Sequence, residues 1–78
     1  MSSLRTLEFI VSYLVDHPDE VRVEESESGN TVIYDLIVHP DDVGKVIGRN
    51  GRIARALRTV VKAAAMREDR NAIVEIID

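Results

Sequence analysis

Apolar residues recur through positions 4–15 at the spacing of one helical face: Leu4, Leu7, Ile10, Val11, Leu14 and Val15, with Glu8 and Ser12 off it. Ser3 fits the N-cap, and Asp16-His17-Pro18 ends the helix, because proline turns its predecessor away from helical dihedrals. From Val21 to Glu25 apolar and charged residues alternate, as in a half-exposed strand. Ser28-Gly29-Asn30 has the composition of a turn that uses positive φ. Thr31 to Val38 is rich in β-branched residues, so residues 21–38 are expected to form a hairpin.

His39-Pro40-Asp41-Asp42 reads as a helix start, with proline at its mouth and two acids suited to the positive end of the helix dipole. That short helix, Asp41 to Ile47, is closed by a glycine turn. Arg52 to Arg67 is the strongest helical pattern in the chain. Ile53, Leu57, Val60, Val61 and Ala64 cluster on one side of it, and Arg52, Arg55, Thr59 and Lys62 on the other. Glu68-Asp69-Arg70-Asn71 reads as a polar loop and Ala72 to Ile77 as a final strand. The order α-β-β-α-α-β predicts an α+β fold: a mixed three-stranded sheet packed against three helices, with the last strand parallel to a neighbour.

The chain has 78 residues and no cysteine, so a small core must suffice without disulfides or thiolate metal sites. No signal peptide is evident, and no apolar run approaches the roughly 20 residues that span a bilayer. A soluble, intracellular single domain, with no membrane partner, is the expectation. The net charge of −4 is unevenly spread. Residues 1–44 set two arginines against ten acids, whereas residues 45–70 set eight basic residues against two acids. A local basic field of this kind steers a polyanion even on an acidic protein.

Within the basic segment lies Val46-Ile47-Gly48-Arg49-Asn50-Gly51-Arg52-Ile53. Neither glycine has a Cβ to hold off a ligand, and the helix that follows opens its first N–H groups and positive dipole end toward the turn. A phosphodiester can be held there by amides, with Arg49 and Arg52 as charged donors and Asn50 as a small polar contact. Bases are then expected along an apolar groove beside the turn. Taken alone, Gly-x-x-Gly is a weak pattern, since glycine is the default helix C-cap. A Walker-type phosphate loop is excluded, because no Gly-Lys-Ser/Thr follows and no strand leads into the turn.

The same residues resemble the signature loop of the KH domain, the module that clamps single-stranded nucleic acid at a GXXG loop. The element order resembles the type II KH arrangement. More closely, the chain is similar to the KhpA family of small bacterial KH proteins. The matching stretches are Val15 to Val21, Gly44 to Gly48, Gly51 to Ala54, Arg58 to Ala64 and Val74 to Asp78. The resemblance covers nearly the whole chain, as a single KH domain over residues 1–78 with its loop at 48–51. It implies non-catalytic, cytoplasmic binding of single-stranded RNA, self-association, and pairing with a larger Jag-type KH protein. Ala54 stands where many KH domains carry a bulky aliphatic residue, so base preference does not carry over.

The RNA-binding set expected from this reading is Lys45, Ile47, Gly48, Arg49, Asn50, Gly51, Arg52 and Arg55. Lys45 serves equally well as a solvated helix residue. Arg58, Lys62, Arg67 and Arg70 lie further away and read as a solvated face that widens the electrostatic footprint. Phe9 and Tyr13 sit opposite the main stripe of the first helix, as a satellite cluster or a partner surface. Ala56, Thr59 and Ala63 form a flat strip suited to a dimer contact, and Tyr34 reads as strand packing. His17 and His39 are dispersed and read as loop residues, so neither a metal site nor acid–base chemistry is assigned. No cofactor, small-molecule substrate or nucleophile–base pair is evident. The competing expectation is an assembly adaptor that uses the scaffold to recruit a protein.

Overall fold

The computed structural model describes residues 1–78. Helix α1 (Ser3–Leu14) passes through a 3-10 turn (Pro18–Glu20) to strand β1 (Arg22–Ser28) and, across Gly29-Asn30, to β2 (Thr31–Ile37). A second 3-10 turn (Pro40–Asp42) opens helix α2 (Val43–Ile47). The turn Arg49–Gly51 joins it to α3 (Arg52–Met66), and β3 (Asn71–Ile77) closes the chain. The sheet order is β1-β2-β3, with β1 antiparallel and β3 parallel to β2, as the connections required.

Strand β2 alternates strictly. Val32, Tyr34 and Leu36 face the helices and are fully buried, while Ile33, Asp35 and Ile37 line the open side. Ala72 and Val74 continue the inner face on β3, and Leu7, Val11, Val46, Leu57, Val61 and Ala65 meet them from the helices. Burying each of the larger side chains is worth about 1.5–3 kcal/mol, which makes this single cluster the main source of stability. Strand β1 runs three residues beyond Glu25, although its far end is wholly polar. Ladder hydrogen bonds to β2, from Arg22 opposite Ile37 to Ser28 opposite Thr31, extend it regardless of side-chain character.

Several boundaries move for identifiable reasons. Ser2, not Ser3, caps α1, accepting from the Arg5 N–H at 3.1 Å. Ser3 is instead buried, with its hydroxyl 2.6 Å from that of Tyr34. Its N–H donates to the Glu68 carboxylate at 2.9 Å, and that bond is the leading cause of a lowered Glu68 pKa. The buried face of α3 is Ala54, Leu57, Val61 and Ala65, rotated from the face the sequence suggested. The alanines let the helix lie close to the sheet, and Ile53 and Val60 are turned toward α1. There, with Ile10, Leu14, Arg52, Ala56 and Leu57, they line an open cleft of about 270 Å³.

Asp42 departs furthest from expectation. It precedes α2 but makes no side-chain cap bond to it. Its fully buried carboxylate instead accepts the N–H groups of Asp16 at 3.2 Å and His17 at 2.9 Å. The His17 Nδ1 approaches it at 3.0 Å. Burial alone would push the Asp42 pKa up, but these bonds outweigh it and lower it to about 2. The α1–β1 connection is thereby pinned to the start of α2, the helix that presents the glycine turn.

Candidate nucleic-acid interface

The turn is built from three residues of positive φ: Gly48 at +77°, Asn50 at +57° and Gly51 at +72°. Glycine meets these values without strain, and asparagine is among the few side chains that tolerate them. Gly48 closes α2 by donating its N–H to Gly44 at 2.9 Å, and Gly51 donates back to Gly48 at 3.2 Å. A Cβ on Gly48 would lie 2.6 Å from Ile53 Cγ1, so the first glycine is required by packing as well as by φ. At Gly51 a Cβ would meet nothing nearer than Arg55 Nη2 at 4.0 Å. The left-handed backbone alone calls for glycine there.

The expected contact residues separate into two kinds. Arg49, Asn50 and Arg52 are exposed, and neither arginine makes an ion pair or a side-chain hydrogen bond. They are free cations at the tip. Arg55 is committed to the turn itself, donating from Nη2 to the Asn50 carbonyl at 3.0 Å. Lys45 is drawn away from the tip, with Nζ 3.2 Å from Asp16 and 3.5 Å from Asp42. Its pKa is raised chiefly by the bond to Asp16. Ile47 is half-buried beneath the turn.

Helix α3 has two unlike flanks. At about 100° per residue, Gly51, Arg55, Arg58 and Lys62 fall within about 60° of one another. Arg58, roughly 10 Å along the axis from Gly51, reaches the edge strand β3 and donates from Nε to the Val74 carbonyl at 3.1 Å. Since Asn71 points its N–H toward β2, alternation turns the peptide groups of Ala72, Val74 and Ile76 out to the open edge. The basic stripe therefore runs beside a row of backbone groups with no partner strand, of which the Val74 carbonyl is already bonded to Arg58. The apolar cleft reaches the turn at Arg52 and Ile53 but lies on the opposite flank of α3, against α1.

Two of the distal arginines are also tied into the fold, Arg58 while remaining exposed. Arg58 ties α3 to β3, and Arg70 is half-buried, bonded to Glu27 at 3.0 Å. Lys62 and Arg67 are exposed and unpaired. Phe9 and Tyr13 pack edge to face at 5.0 Å yet remain 53% and 77% exposed, on α1 outside the core. The histidines, far apart in sequence, are stacked with ring centroids 3.9 Å apart. Each precedes a proline that starts a 3-10 turn, so the repeated His-Pro-Asp is the sequence sign of their matched placement. The His17 pKa is raised, mainly by its bond to Asp42.

A helix–GXXG–helix unit set on a mixed α-β-β-α-α-β sheet defines a KH-type domain. Residues 5–76 match the family model described as "KhpA/KhpB, KH domain", and the chain belongs to that family. It is 54% identical to the RNA-binding protein KhpA of Halalkalibacterium halodurans over 96% of this chain and all of that one. It is 44% identical to the RNA-binding protein KhpA of Aquifex aeolicus over the full length of both. Among solved structures, Aquifex aeolicus Era bound to GDP and aluminium fluoride superimposes with a TM-score of 0.66, over 95% of this chain and 29% of that one. At 14% identity that likeness concerns the fold alone. No helix is long and apolar enough to cross a membrane.

Proposed function

We propose that this chain is a non-catalytic, cytoplasmic binder of single-stranded RNA, with the phosphodiester backbone clamped at Gly48–Gly51. The observation that carries the reading is the pair of free cations, Arg49 and Arg52, on a turn where Gly51 leaves open space for the close approach of a backbone, while Gly48 fixes the turn against Ile53. Arg55 holds the turn in shape, and Lys45 contributes field more than contact. Bases then lie toward the β3 edge, where the Val74 N–H and the peptide groups of Ile76 face outward and Arg58, bonded through Nε to the Val74 carbonyl, carries unengaged Nη donors. The relatives' shared description as RNA-binding proteins supports the same reading.

One turn grips few nucleotides, so binding by a single copy is weak, and two linked sites gain through effective concentration. The functional unit is accordingly a homodimer or a pair with a larger Jag-type KH protein, acting as an RNA chaperone or post-transcriptional regulator. The adaptor reading is supported by a different surface: the cleft between α1 and α3 together with exposed Phe9 and Tyr13.

Replacing Arg49 and Asn50 by aspartate tests the clamp. Aspartate tolerates the left-handed backbone at position 50, so the fold is kept while the charge is inverted. Fluorescence anisotropy with a short single-stranded RNA is expected to show binding abolished. Unchanged affinity at the same salt concentration overturns the assignment.

A further inference from the structure

We infer that His17, His39 and Asp41 form a binding site for a first-row divalent cation of the zinc class. The site lies outside the RNA interface and does not depend on that reading. The chain repeats His-Pro-Asp at residues 17–19 and 39–41, and the fold lays the two imidazoles against each other. One donor atom from each of His17, His39 and Asp41 lies within 4.8 Å of the others. All three side chains are open to solvent, at 38%, 26% and 77% exposure, so an ion has a path in.

The surroundings are those of a metal-binding histidine pair. His17 Nδ1 is held by buried Asp42 at 3.0 Å, which places the proton on Nδ1 and leaves Nε2 with its lone pair free. Asp42 is itself fixed by two backbone N–H groups, so that ring is oriented before any ligand arrives. Glu20 lies 3.6 Å from His39 Nε2, leaving Nδ1, 3.8 Å from the Asp41 carboxylate, to ligate. A carboxylate hydrogen-bonded behind an imidazole, as Asp42 is behind His17, raises ligand basicity and fixes the tautomer, and Glu20 stands near His39 without bonding it. Two imidazoles and one carboxylate, with no thiolate, suit zinc, nickel or copper(II) and leave a fourth position for water.

The rings are 14° from parallel, and stacked rings cannot both aim in-plane lone pairs at one ion. Binding therefore turns the His39 ring out of the stack and releases the bond from the Asp41 N–H, now 3.0 Å. The donors then close to the spacing of about 3.4 Å set by metal–ligand bonds of roughly 2.0–2.1 Å. The ion would bridge the α1–β1 connection and the turn that starts α2, reinforcing the junction Asp42 already makes.

The test is a titration of the untagged, metal-free full chain at neutral pH with Zn²⁺ by calorimetry and with Co²⁺ by visible absorption. One ion per chain is expected, with Co²⁺ ligand-field bands that Zn²⁺ displaces. His39→Gln and Asp41→Asn are each expected to weaken binding at least about tenfold, and Glu20→Gln by less. His17→Gln also removes a contact of Asp42, so circular dichroism accompanies it and His39→Gln decides if it misfolds. Absence of saturable binding up to about millimolar ion, or equal binding by His39→Gln and Asp41→Asn, overturns the site.

Discussion

Gly48 is held against Ile53 so closely that even a methyl group does not fit, its ideal Cβ falling 2.6–2.9 Å from three atoms of that side chain. Ile53 stands at the start of α3 between the turn and the α1 cleft, so the turn cannot shift without moving the helix it precedes. Gly48→Ala is expected to destabilise the domain by about 1–3 kcal/mol, from the positive φ together with the clash. Gly51→Ala, strained but unobstructed, is expected to cost about 1 kcal/mol. Urea denaturation of the two variants measures the difference, and equal losses would remove the packing argument.

Arg58 is the expected reader of the β3 flank. Arg58→Lys keeps the charge but loses the fork that bonds Val74 and presents Nη donors to a base edge. Affinity for different single-stranded RNA sequences is expected to become more uniform, while the dependence on salt stays nearly the same. If Arg58 serves only to fasten α3 to β3, Arg58→Lys lowers thermal stability and leaves relative sequence preference untouched.

Tyr34 carries a buried hydroxyl whose neighbour is the hydroxyl of Ser3, 2.6 Å away. Tyr34→Phe leaves the Ser3 hydroxyl without that partner, at an expected cost of about 1–2 kcal/mol. Adding Ser3→Ala removes the orphaned group and is expected to recover part of the loss. A double-mutant cycle reads the coupling directly, and strictly additive effects would show that the bond contributes nothing.

Glu68 accepts the Ser3 N–H at the head of α1, and its pKa is lowered from 4.5. The folded state therefore favours the carboxylate. Its contribution is complete above pH 4.5 and is lost as the pH falls through the depressed value. Glu68→Gln is expected to flatten the acid side of the stability profile, measured by thermal melts between about pH 3 and pH 6. Identical acid slopes for the two proteins would show that this contact carries no linkage.

Exposed Arg49 and Arg52 are predicted to supply the salt dependence of RNA binding. Each arginine that neutralises one phosphate adds about −0.7 to the slope of log affinity against log salt for a single strand. Arg49→Gln or Arg52→Gln is expected to reduce the slope by about that amount. Lys45→Gln, whose cation is already paired with Asp16 and Asp42, is expected to change it less. A larger change at Lys45 than at Arg49 would reverse the ranking.

Much of this was legible in sequence because it depends on local spacing. The alternation of Thr31 to Val38, the period of Leu4 to Val15 and the glycines at 48 and 51 each answer to backbone geometry within a few residues. The sequence puts the cap of α1 one residue late because Ser2 and Ser3 are chemically identical, and only the distant Tyr34 decides which is buried. The buried face of α3 is hard to read because alanines count little in a hydropathy pattern, while their small size settles which side can approach the sheet.

Neighbours along the chain fix the order of elements, the polarised charge and a GXXG turn among basic residues, so these are legible without the fold. Tertiary structure alone decided which cations remain free at that turn. Asp16 and Asp42 claim Lys45, Asn50 claims Arg55 and Val74 claims Arg58, while Arg49 and Arg52 keep their charges for a ligand. It also brought His17 to His39 through the buried carboxylate of Asp42, since partnership between side chains far apart in sequence is set by how the elements pack.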